Sequence, residues 1–129
     1  MIAEAIIERS TGKEVLLFTQ ARFGELEQYM EAKMSNQATV TPTDRFFLCT
    51  AYAKVKRYNK LFACLDQSEN HASDYGGSSR YNLTPEAIKS FSAVQRAEAL
   101  IDLGDYGRAM QESTRAYELS KLIKGYYSD

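Results

Sequence analysis

Between Gly104 and Tyr117 the chain places Tyr106, Ala109, Met110, Ser113, Ala116 and Tyr117 at spacings of three and four, directly after a Gly104-Asp105 turn. That spacing gathers the six side chains on one side of an α-helix. The glycine just ahead of it marks where a preceding helix must stop. The gathered side is small in its middle and aromatic at its ends, so a second helix can come close. A stretch of this kind commits its neighbourhood to a helical hairpin, and no group in it carries chemistry.

The same order of events occurs twice upstream. Leu16, Leu17, Phe18 and Ala21 supply apolar surface before a joint near Arg22-Phe23-Gly24, and Phe23, Leu26, Tyr29 and Met30 supply it afterwards. Glu25, Glu27, Glu31 and Lys33 take the other side, which is the pattern of an amphipathic helix in need of a neighbour. Thr41-Pro42-Thr43-Asp44 opens the next helix: threonine caps free first-turn amides, and proline has no N–H to leave unpaired. That helix carries Phe46, Phe47, Leu48, Cys49, Ala51, Tyr52 and Ala53 to a joint at Lys56-Arg57-Tyr58, beyond which Leu61, Phe62 and Leu65 continue the stripe.

Residues 67–83 are polar, contain glycine and lack periodicity, so they are expected to be an inserted loop. Thr84-Pro85 then repeats the helix start, and Ile88, Phe91, Ala97, Leu100, Ile101 and Leu103 lead back to Gly104. Thirty-five positions separate Phe23 from Tyr58 and 48 separate Tyr58 from Tyr106, the excess matching the insertion. A further apolar set, Ile2, Ala5 and Ile6, precedes the first hairpin.

At 129 residues, with 44% hydrophobic and 26% charged side chains, the chain is expected to form one globular domain, 1–129, standing alone or as a segment of a longer protein. A net charge of −1 disfavours nucleic acid and anionic membranes as partners. No apolar run approaches the roughly 20 residues that span a bilayer, and the start through Glu8-Arg9 is acidic where a secretory signal is basic. The expectation is a cytoplasmic protein. Cys49 and Cys64 lie on apolar stripes and are expected to be buried free thiols, although a disulfide across a hairpin is geometrically open to them.

The Gly104-Asp105-Tyr106 turn, the small residues Ala97, Ala109 and Ala116, and the near-34-residue first period resemble tetratricopeptide repeats. Cys49, Tyr52, Tyr58, Leu61 and Leu65 take the corresponding places in the middle hairpin, and Leu17, Phe23, Leu26 and Met30 in the first. The chain departs from the family in having no tryptophan, in Ser113 and in Leu61. A helical bundle without repeats is the other architecture open to it.

The resemblance implies an all-α fold of about three antiparallel hairpins stacked as a right-handed superhelix. It also implies a concave surface on the first helix of each hairpin, which here carries Phe46, Thr50, Ala53, Lys54, Phe91, Val94, Glu98, Ile101 and Asp102. On this reading the chain is a non-catalytic interaction module or scaffold for a protein or peptide, with self-association through its last helix as a further option. Only Lys54 answers to the clamp by which some members grip a peptide carboxylate.

A rival reading is a small helical enzyme or ligand-binding regulator that uses residues 67–83 as a lid. His71, beside Ser68, Ser73 and Asp74, is expected to be a solvated loop histidine rather than a catalytic base. No residues have metal-ligand or cofactor-loop spacing, so neither a metal nor a cofactor is expected. Lys54, Lys56, Arg57 and Lys60 form the one basic cluster, too small to hold nucleic acid firmly. Tyr106 and Tyr117 are expected to be structural.

Overall fold

The structure is a computed structural model describing residues 12–73 and 84–123. The apolar set Ile2, Ala5 and Ile6, the loop segment 74–83 with Tyr75 and Tyr81, and Tyr126 with Tyr127 lie outside the described residues. Within them the chain is all-helical, with six helices and no strand: α1 Lys13–Thr19, α2 Phe23–Ser35, α3 Pro42–Lys54, α4 Tyr58–Asn70, α5 Pro85–Asp102 and α6 Tyr106–Ser120.

The two Thr-Pro sites start helices as their chemistry demands. Thr41 Oγ1 accepts from the Asp44 amide at 3.1 Å, and the Thr41 amide donates to Asp44 Oδ2 at 3.0 Å, a reciprocal capping box. Thr84 Oγ1 accepts from the Ala87 amide at 3.2 Å at the head of α5. Asp105 caps α6 by accepting from the Arg108 amide at 3.3 Å.

Three turns, joining α1 to α2, α3 to α4 and α5 to α6, share one backbone form. Arg22, Arg57 and Asp105 donate to the carbonyls of Leu17, Tyr52 and Leu100 at 2.9, 2.9 and 2.8 Å. The preceding amides of Ala21, Lys56 and Gly104 donate to Phe18, Ala53 and Ile101 at 3.0, 3.3 and 3.0 Å. This paired closure is the Schellman motif, which requires a left-handed residue, and Ala21, Lys56 and Gly104 have φ of 57°, 62° and 82°. Phe23, Tyr58 and Tyr106 each follow two residues later, so the three aromatics open equivalent corners. Only the third corner uses glycine, which is why it alone is conspicuous in the sequence.

Sequential helices pack against one another, and α3 also touches α5 across α4. Leu17, Leu26, Met30, Phe47 and Ala51 form one core between α1, α2 and α3. Cys49, Tyr52, Leu61, Cys64, Leu65 and Ala99 form a second between α3, α4 and α5. α5 and α6, which carry the buried Ala93, Ala97, Ala109 and Ala116, make the most extensive contact of any pair. Small side chains let their backbones approach closely, as the Ser90 hydroxyl donating to the Ala116 carbonyl at 3.3 Å shows.

Three expectations are corrected. Cys49 and Cys64 are not free thiols: their Cα atoms lie 5.6 Å apart across the α3/α4 hairpin and the sulfurs are bonded. Apolar periodicity placed both on stripes but could not say that the stripes meet in register. The loop does not begin at Gln67 either, since α4 runs on to Asn70 and His71 sits half-buried at its end. Glu69 holds that last turn in place: Arg115 Nη1 and Nη2 donate to its carboxylate at 2.9 and 3.0 Å, and the Ser92 hydroxyl donates at 2.6 Å. Finally, Tyr106 and Tyr117 are not packed but 68% and 62% exposed, because α5 takes the Ala109–Ala116 side of α6 and leaves theirs open.

Candidate functional site

The first helices of the three hairpins, α1, α3 and α5, line one groove of about 430 Å³. A chain of edge-on ring contacts ties them together: Phe18 to Phe47 at 5.9 Å, Phe47 to Phe46 at 5.4 Å, and Phe46 to Phe91 at 5.2 Å. Edge-to-face rings interlock as well as bury area, so the groove has a fixed apolar floor.

Of the residues singled out from sequence, Phe46, Thr50, Ala53, Lys54, Phe91, Val94, Glu98 and Asp102 line this groove together. Ile101 does not. It lies in the last turn of α5, 52% exposed. Thr50 lines the groove but is buried, and its hydroxyl accepts from Gln95 Nε2 at 3.3 Å, so it braces α3 against α5.

The rim is charged with both signs. Lys54 Nζ lies 5.8 Å from the Phe23 ring centroid, a cation–π contact between successive hairpins. Asp102 accepts from the Tyr58 hydroxyl and pairs with Lys56 Nζ at 3.7 Å. That hydrogen bond to Asp102 holds the Tyr58 phenol above its ordinary pKa. Glu98 stands exposed on the α5 wall.

Sequence reasoning missed Phe18, Lys56, Tyr58, Leu61, Gln95 and Ala99 as lining residues. Phe18 was within reach: the 35-residue offset between the first two corners carries Ala53 back to it. The others face the groove only because of how the hairpins are set against each other.

The basic cluster does not present a bare patch. Arg57 pairs with Glu27 at 3.1 Å, Lys60 with Glu31 at 3.4 Å, and Lys56 and Lys54 are engaged as above. Glu31 also accepts from the buried Tyr52 hydroxyl at 2.5 Å. Burial and that bond push the Tyr52 phenol well up, while the bond holds the Glu31 carboxyl below its usual range. These groups cross-brace α2, α3 and α4.

Among the described residues no group of three or more His, Cys, Asp or Glu side chains could hold a metal ion, and no helix is long and apolar enough to cross a membrane. The groove pairs an apolar floor with a mixed-charge rim. No family model matches the chain, and no match is found among curated proteins or solved structures.

Proposed function

We propose that the chain is a non-catalytic, tetratricopeptide-like stack of three hairpins, right-handed in its superhelix, that binds a protein or peptide segment in the groove between α1, α3 and α5. The observation that carries this reading is the groove itself, floored by interlocked phenylalanines from successive hairpins and built on helices rather than loops. Because these helices are ordered by folding, the entropy of shaping the site is settled before a partner arrives. The three equivalent corners support the repeat architecture.

The chemistry of the walls specifies the bound segment. Phe91 and Val94, 49% and 42% exposed, take an apolar side chain. Glu98 takes a basic residue beside it, whereas Asp102 is already engaged by Tyr58 and Lys56. The Cys49–Cys64 disulfide favours an oxidising compartment over the cytoplasm expected from the sequence.

Selection from a random linear-peptide display library tests the reading. Enriched peptides should pair an apolar residue with Lys or Arg, lose binding on Phe91→Ser, and switch to acidic residues on Glu98→Lys. A selection that enriches nothing, or peptides indifferent to both substitutions, would show that the groove is not a binding site.

A further inference from the structure

The two junctions between hairpins are built from the same positions. Phe23 faces Lys54, and Tyr58 donates to Asp102, each the residue four before the next corner aromatic. In the second hairpin Phe46 meets Phe91, Thr50 meets Gln95, Leu65 shares a core with Ala99, and Glu69 accepts from Ser92. Carried forward by the 48-residue offset, Phe46, Thr50, Tyr58, Leu65 and Glu69 become Val94, Glu98, Tyr106, Ser113 and Tyr117. Of these positions on α6, Tyr106 and Tyr117 are 68% and 62% exposed, and Met110 between them and Ile101 at the end of α5 are 70% and 52% exposed.

We propose that this end face is a homodimer interface, in which α6 packs antiparallel on α6 of a second copy about a two-fold axis between Met110 and Ser113. The stripe Tyr106, Met110, Ser113, Tyr117 has four-three-four spacing, the seam of a paired helix. Reversed, it is complementary to itself. Met110 falls on Ser113 of the second copy, a long side chain over a small one, and does so twice by symmetry. Tyr106 falls on Tyr117 of the second copy at both ends, where aromatic pairs stack.

The size is also right. Two tyrosines of about 150–250 Å² each, more than 60% exposed although Lys121 Nζ lies 4.5 Å from the Tyr117 ring centroid, make with Met110 and Ile101 an apolar patch of several hundred Å². That matches the roughly 300–600 Å² of a monomer's largest, often functional patch and lies below the roughly 800 Å² per partner of a standard interface, which makes the dimer a weak, reversible one. None of the α6 stripe residues lines the peptide groove, so either can hold without the other.

Sedimentation of the full chain over about 1 to 100 µM, the range over which modest interfaces dissociate, reads the proposal directly. The expected result is a monomer–dimer equilibrium that Met110→Glu and Tyr117→Glu each weaken about tenfold or more. Arg108→Glu, off the stripe, should leave it unchanged, and Phe91→Ser should do the same. Both stripe positions are exposed, so thermal melting measured alongside should show the variants folded. A monomer at every concentration overturns the proposal and leaves the face to a following helix or another protein. A dimer that survives both stripe variants overturns it equally.

Discussion

Reducing the Cys49–Cys64 bond is the sharpest test of how the middle hairpin is held. The bond spans 15 residues of sequence, and in chain-entropy terms a closed loop of that length removes about 3 kcal/mol of denatured-state freedom. Both half-cystines are buried, so substituting them would add a packing loss, whereas reduction in place changes the cross-link alone. Urea unfolding followed by circular dichroism, with and without reductant, isolates the effect. The reduced protein should unfold at lower urea with a steeper dependence, because its freed unfolded chain exposes more surface. Its melting temperature should fall on the order of 10 °C for a chain of this size. Thiol titration in denaturant must find no thiols before reduction and two after it. Two thiols in the unreduced protein would refute the bond, and coincident unfolding curves would refute the entropic argument.

Three further outcomes follow from the geometry. Ala21 and Lys56 hold left-handed backbone that side chains oppose, so Ala21→Gly and Lys56→Gly should each stabilise by about 0.5–1 kcal/mol in denaturant titrations. Unchanged midpoints would mean that these corners carry no strain. Burial pushes the Glu69 carboxyl up, but Arg115 and Ser92 outweigh it and hold the group below its ordinary value, and Thr41, Gln37 and Lys33 do the same for Asp44. A depressed folded value means stability present above the unfolded carboxylate pKa of about 4 and lost as pH falls through the folded one, so an acid titration of stability should decline there and Glu69→Gln should flatten it. Thr41→Ala removes half of the capping box and should cost about 1 kcal/mol, read as a lowered unfolding midpoint.

What the candidate site owed to local pattern was readable, and what it owed to assembly was not. Phe46, Lys54, Phe91, Glu98 and Asp102 were named because the resemblance to tetratricopeptide repeats implies a concave surface on the first helix of each hairpin, and the caps and corners that bound those helices are short-range features. Ile101 was misplaced by the same rule: its position is equivalent to Phe18 and Ala53, but there is no fourth hairpin among the described residues to close a groove over it. Tyr106 and Tyr117 read as structural for a related cause, since helical spacing shows which side chains share a face and not which face meets a neighbour.

The sequence by itself determined the Thr-Pro starts of α3 and α5 and the corners at Phe23, Tyr58 and Tyr106, because caps, the Gly104 turn and apolar spacing act within a few residues of chain. The tertiary structure alone decided that Cys49 meets Cys64, that Glu69 anchors Arg115 from 46 residues away, and which face of α6 stays open. Those outcomes depend on the rotation of each helix about its own axis once neighbours pack against it. Rotation is set by the summed fit of side chains from distant segments, and no local pattern encodes that sum.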